Sequence, residues 1–452
     1  MSSSPLSIAD GFSFAAVGDV IGPFRPELPL SQPPFEAVCR LLRDADVGLA
    51  NQEGSIFDLA DFEGSRAAEH GGGYPLSDTA TAADLKGMGL TVVSKANNHA
   101  TDWGVEGLRA TERALHAAGI ATAGSGRSRA AARAATYLET TKGRVGVVAA
   151  ASTFTPMSEA GNTDDEVRAR PGISVLRVRP VVQVAPSAWT ALQDLARTLG
   201  AAPGLDSWLT GDAQQLRVGD QVFRCGQAHG LVHEVNAQDH AEVLRAIRSA
   251  KQLSDFVAFT LHGHQSLTGS GQDRRPADFM PVLLREAVDA GADLVTVTGP
   301  HALRGIEIYR GRPIFYGLGS FFLQLADDRG PTSDSARAAG VDPLACTKPE
   351  FIARQFQLPE DWYDSVVAVS RFEGGRAAEV RLHPLVLERR PAPLLEGAPR
   401  LAPPPAAQRI LERLRLDSLP WGTALSIEDG VGLIRIPQAS PQAPDRAMTA
   451  GR

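Results

Sequence analysis

Five short apolar runs, spread over nearly three hundred residues, each give way to a cluster of acid, amide or imidazole side chains. The runs cover residues 12–17, 46–49, 90–94, 256–261 and 294–297. All are short and most are rich in β-branched residues, as expected of strands buried on both faces. The clusters that follow are Gly18-Asp19, Asn51-Gln52-Glu53, Asn97-Asn98-His99, His262-Gly263-His264 and Gly299-Pro300-His301. Chemistry is therefore expected at strand ends, carried on loops. Carboxylate, amide oxygen and neutral imidazole are also the donor types that divalent Zn, Mn or Fe accepts.

Between these runs the spacing predicts helices over 35–43, 81–88 and 105–118, then a strand over 143–150. Such alternation implies a layered α/β arrangement. Residues 117–126 read as a helix stop and a loop. The Gly124-Ser125-Gly126 there is a turn rather than a phosphate cradle, because it does not open a helix in a dinucleotide-type unit. Residues 153–240 form an insertion, with a helix over 188–199 and short alternating pieces over 206–222. A helix over 241–252 and another closing at 285–290 flank the fourth strand. Residues 305–316 read as a hairpin, 323–361 as a long loop that is a lid or an ordinary surface loop, and 366–386 as a second hairpin. A Pro-rich connector over 391–405 and a helix over 406–414 follow. The expected units are 12–325 with its insertion, an extension over 326–436 packing on it, and a disordered tail over 437–452.

The composition excludes several classes of function. Net charge is −7 and no basic run appears, which argues against nucleic acid. Cys39, Cys225 and Cys346 lie far apart, without a paired motif for a disulfide framework or thiolate zinc. The N-terminus lacks a charged and apolar leader, and no apolar stretch approaches the roughly 18 residues of a membrane span. A cytoplasmic protein without direct membrane insertion is expected, acting on a small molecule, with self-association left open. No GxSxG occurs, and Cys39 falls inside an expected helix, so a serine or cysteine nucleophile is disfavoured.

Taken singly, most candidate residues have an ordinary alternative. Asp19 suits a cation or a plain turn, and Glu53 suits a bridging carboxylate or a solvated loop. The segment from Ala96 to Gly104 is more specific, because it crowds polar groups where an apolar strand has just ended. Leaving them unpaired would cost about 1–3 kcal/mol each. Asn98 can ligate through its amide oxygen while His99, paired with Asp102 in the candidate catalytic set, gives a proton to a leaving group. Thr101 or Asp102 can equally cap the next helix. His262 and His264, one residue apart, fall on one face of an extended segment and can chelate one ion. His301 is projected from a tight turn. The histidines at 70, 116, 229, 233, 240 and 383 have no comparable context.

Joined in order, the segments around Asp19, Glu53, Asn98, His262 and His301, with Pro313-Ile314-Phe315-Tyr316-Gly317-Leu318-Gly319-Ser320-Phe321-Phe322, resemble the CapA family. The match runs from about residue 12 to 322 and fades toward 432. Members are named for poly-γ-glutamate capsule synthesis, and their fold is similar to calcineurin-like metallophosphoesterases. The resemblance implies a four-layered α/β/β/α sandwich with metal at the strand ends. It makes Asp19, Glu53, Asn98, His262, His264 and His301 candidate ligands for one or two Mn, Zn or Fe ions, with His99 as the acid. Ile21 stands where metallophosphoesterases carry a histidine, Val297-Thr298 where many members carry Gly-His, and Gln265 where many carry Glu. Capsule-synthesis members are typically anchored to the membrane, and this chain shows no anchor. The expected activity is therefore that of a soluble metal-dependent hydrolase of a small molecule, cleaving an amide, ester or lactone rather than a phosphoester. The alternative is a capsule or poly-γ-glutamate assembly component acting with membrane partners.

Overall fold

The computed structural model describes residues 7–22, 33–163, 166–199, 215–271, 273–324, 333–338, 340–347, 350–351, 358–389 and 397–437. They form a mixed α/β structure with several sheets. The larger sheet is built around Phe12–Ile21, buried along most of its length. Val47–Gln52 lies parallel on one side, followed by Val92–Ser94 and Ala121–Ala123. On the other side two strands share one edge. Asp364–Glu373 runs antiparallel to residues 12–16, and Ser320–Leu323 runs parallel to residues 19–21.

The handover falls at Gly18, where a Cβ would lie 1.7 Å from Gly319 O, so the two backbones meet only because Gly18 carries no side chain. Ladder register shifts on both sides of this point, and such an irregularity re-aims the next side chain, that of Asp19. The expected strand end at Val17 is thus corrected. The strand continues to Ile21, because Ser320–Leu323 supplies a new partner, and Asp19 sits inside it.

The second sheet has the order Ile306–Tyr309, Arg312–Phe315, Leu294–Thr298, Phe256–His262, Gly143–Ala151 and Thr136–Thr140. Its central pairings are parallel, with antiparallel strands at both edges. Side-chain alternation sends Phe12, Phe14 and Ala16 one way and Ala15 and Val17 the other. The first set shares a core cluster with Val145, Val147, Phe256 and Ala258 of the second sheet. Phe12 and Phe14 lie 5.0 and 5.6 Å from Phe256 between ring centroids. Ala15 and Val17 instead join Leu42, Leu85 and Leu115 from helices Pro33–Arg43, Ala80–Gly87 and Gly104–Ala117. A third cluster joins Val148, Val257 and Phe259 to Val243, Ile247, Leu283 and Leu284 of helices Ala237–Leu253 and Phe279–Asp289.

The inserted segment carries a small sheet of its own, Gln215–Val218, Gln221–Cys225, Val178–Val184 and Gly230–Val235, with helix Pro186–Thr198. Several short elements depart from expectation. Ala121–Ala123, in the expected loop, adds to the free edge of Val92–Ser94. Pro404 and Pro405, in the expected connector, open helix Pro404–Ser418, because a proline at the first helical positions lacks only an N–H that has no partner there. Ser426–Glu428 and Val431–Arg435 form an unexpected hairpin on Arg376–Leu387. Within 323–361 the described pieces include the short helix Ser333–Ala338. The tail from 438, and residues 201–214 and 391–396, lie outside the described residues. No helix among the described residues is long and apolar enough to cross a membrane.

Candidate metal centre

All eight singled-out residues lie at the same end of the two facing sheets. Asp19 is fully buried. Its Oδ1 accepts from Asn51 Nδ2 at 2.8 Å and its Oδ2 from Gly299 N at 2.9 Å. His301 Nδ1 is 3.4 Å from Asp19 Oδ2, and His262 Nδ1 is 3.8 Å from Asp19 Oδ1. One strand from each sheet therefore meets at this carboxylate.

The His262 Nε2 atom is 2.8 Å from Asn98 Oδ1, 3.1 Å from His264 Nε2 and 3.6 Å from Glu53 Oε1. Asn51 Nδ2 and Thr298 Oγ1 lie 3.2 and 3.1 Å from His262 Nδ1; an amide NH2 only donates, so Nδ1 accepts on that side, and Nε2 faces Asn98 Oδ1, Glu53 and His264. Asn98 is oriented by its own Nδ2, which donates to Gly71 O at 2.8 Å. Thr153 Oγ1 accepts from His264 N, and Ser320 Oγ lies 3.1 Å from His301 Nδ1. His301 itself has φ of 54°, a left-handed conformation rare outside glycine and typical of functional sites.

Glu53 is the residue that most needs a cation. Its carboxylate is fully buried and neither oxygen has a hydrogen-bond partner. Two sets of donor atoms converge on it, each within 4.8 Å of one another: Glu53 with His262 and His264, and Glu53 with Asp19 and His301. Glu53 is common to both sets, and their all-N,O donors would suit a borderline or hard divalent ion.

The electrostatics point the same way. Burial pushes the Asp19 carboxyl up, but a bond and charge from His301, the charge of His262 and the Asn51 bond outweigh it and hold it at about 2. Burial, then the charges of Asp19 and Asp102, push Glu53 well above the carboxylate range against the opposing charge of Lys95. Burial lowers His262 to about 3 and His264 well below the ordinary imidazole value, so both rings offer lone pairs. The thiol of Cys39, in helix Pro33–Arg43, is pushed by burial up to about 12.

His99 and Asp102 stand beside this centre as a pair, His99 Nδ1 lying 2.6 Å from Asp102 Oδ2. Gly71 N donates to Asp102 Oδ1 while Gly71 O accepts from Asn98, so one residue links the pair to the candidate ligand cluster. The helix after this segment begins at Gly104, and no side-chain bond of Thr101 or Asp102 caps it.

Several contributors were not singled out from sequence. Asn51 and Asn97 stand inside the quoted motifs, and Asn97 Nδ2 ties Asn51 Oδ1 to Gln52 O. Lys95 is buried beneath them. Thr153, Ser320 and Trp362 carry no local signal; Trp362 packs on the His301 ring at 4.7 Å between centroids. Arg304 and Arg275 instead bind around the 265–273 loop, and Arg274 pairs with Asp417.

The family model described as bacterial capsule synthesis protein PGA_cap matches residues 13–324. An uncharacterized protein of Sinorhizobium fredii, y4sH, is 42% identical over 96% of this chain and 95% of its own. A probable polyglutamine synthesis accessory protein of Mycobacterium tuberculosis is 29% identical over 50% of this chain and 44% of its own. The PGA biosynthesis protein CapA of Bacillus subtilis is 27% identical over 56% of this chain and 47% of its own.

Proposed function

The chain belongs to the bacterial capsule synthesis protein family, and from that membership we propose that it works on a capsule-type polymer or its precursors through a divalent-cation centre. The observation that carries this reading is the buried carboxylate of Glu53, without a hydrogen-bond partner and shared by two donor sets. Asp19, Glu53, Asn98, His262, His264 and His301 would hold the cation or cations. Bound Mn, Zn or Fe would supply Lewis acidity, lowering the pKa of a water and polarising the scissile group. The protein's own part is positional and protolytic. Asp102 accepts from His99 Nδ1 and so aims Nε2 at the leaving group, to which His99 gives a proton. The reaction class we favour on this geometry is hydrolysis of an amide, ester or lactone. The three buried clusters support a four-layered α/β/β/α arrangement, and three free cysteines favour a reducing compartment.

The names of the relatives favour a second reading, an accessory role in polyglutamate assembly with membrane partners. Cation analysis of the purified chain, joined to a hydrolysis screen after loading with Mn, Zn and Fe, separates the two. Under the hydrolytic reading the wild type binds a cation and turns over an amide or ester, while His262→Ala loses both. Cation binding without turnover, together with co-purification of a membrane synthase, supports the accessory role. A wild type that binds no cation contradicts the cation-centre reading.

A further inference from the structure

The turn that carries Glu53 is held from below by a buried ammonium group. Lys95 has no solvent exposure. Its Nζ donates to Gln52 O at 2.9 Å and to Gly54 O at 3.1 Å, the carbonyls of the residues on either side of Glu53. Each carbonyl has a second donor, Asn97 Nδ2 for Gln52 O and Gln52 Nε2 for Gly54 O. The Glu53 amide donates to Val20 O at 3.1 Å. The peptide groups around Glu53 are thus pinned on every side, while its carboxylate has no hydrogen-bond partner.

Packing alone does not account for a lysine here. A buried ammonium carries a desolvation penalty of several kcal/mol that an apolar side chain of equal volume would avoid. What the lysine adds is two directed bonds and a positive charge facing Glu53. We infer that Lys95 is a positioning residue for cation binding: it clamps the Gln52–Gly54 turn so that the Glu53 carboxylate stands between the Asp19–His301 and His262–His264 pairs before an ion arrives. This rests on the cation-centre reading above. A purely structural lysine would affect melting and leave ion affinity alone.

The test uses the full chain, stripped of metal, as wild type, Lys95→Met and Lys95→Gln. Titration calorimetry with Mn²⁺ and Zn²⁺ gives affinity and stoichiometry, and melting without ions reports folding. Lys95→Met is expected to bind about 10- to 100-fold more weakly, the range seen when outer-shell partners of ligands are removed. Lys95→Gln should fall between, because a shorter neutral donor reaches one carbonyl only. Wild-type affinity and stoichiometry in either folded variant, even at a lowered melting temperature, overturn the inference. Failure of the wild type itself to bind ions would instead strike the cation-centre reading.

Discussion

Under the proposed function the side chains at the centre divide into those that would hold a cation and those that would move a proton, and substitutions should separate them. His99 has its ring on Asp102 and faces none of the ligand atoms at bonding distance among the contacts described. His99→Ala is expected to keep the cation and lose turnover by about 10²- to 10⁴-fold, the usual contribution of a positioned general acid. Asp102→Asn should act in the same direction and less severely, whereas His116→Ala, whose ring bonds Thr122 at the surface, should change neither. Cation analysis beside rate measurement checks all three. Gly299 offers a different probe. Its φ is 106°, and a Cβ there would lie 2.7 Å from His264 Cδ2 and 3.0 Å from His262 Cε1. Gly299→Ala should therefore push the paired rings apart and weaken ion binding in calorimetry, although no ligand is removed. Asp19, His262 and His301 could be picked from sequence only together, through their joint occurrence at strand ends and the resemblance to a family, since Asp19 alone suits a plain turn. Glu53 looked like an ordinary loop acid, and its isolation appears only once the surroundings are in place.

Helices and strands with strong periodicity were legible to within a few residues, while short edge strands were not. The reason is physical: Ala121–Ala123 and Ser426–Glu428 are strands because a neighbouring edge needs partners, not because their own residues demand it. The insertion shows the same dependence on long-range contacts. Asp239, on helix Ala237–Leu253, accepts from Arg129 Nη2 at 2.5 Å, Arg133 Nη2 at 2.8 Å and Arg177 Nε at 2.7 Å. It thereby ties the root of the small sheet to helix Arg129–Arg133. Burial pushes its carboxyl up, but the side-chain and backbone bonds of Arg177 and the charges of Arg133 and Arg177 hold it below the ordinary range. The stability it contributes is thus complete above an ordinary Asp pKa near 4 and is lost as pH falls below it. Asp239→Asn should destabilise the protein by about 1–3 kcal/mol at neutral pH, because Arg129, Arg133 and Arg177 lose their shared carboxylate and keep only Glu242 and Glu159. Melting curves between pH 3 and pH 7 should be flatter for the variant; an unchanged slope would contradict the assignment.

Across the whole molecule, the candidate ligands come from both large sheets: Asp19 and Glu53 from one and its turn, His262 and the segments after it from the other. A cation held there would cross-link the two layers in the folded state only. Adding Mn²⁺ or Zn²⁺ at about 100 times the dissociation constant should raise stability by about 2.7 kcal/mol, read as a higher melting temperature that chelator reverses. No shift would mean that the donors do not act together. Hydrophobic period, strand-end polarity and turn chemistry are local properties, and from them followed the α/β class, the order of the main elements and the five polar strand-end segments, while the candidate ligand set came from the resemblance to a family. Distances between side chains remote along the chain are not local. Whether Glu53 would be satisfied by water or left between four other groups, whether Asp19 would end its strand or bulge within it, and that Lys95 would lie beneath the turn, depended on how two sheets stack and on which edges pair. Those outcomes follow from burial and backbone hydrogen bonding summed over the whole fold, which no window of the sequence contains.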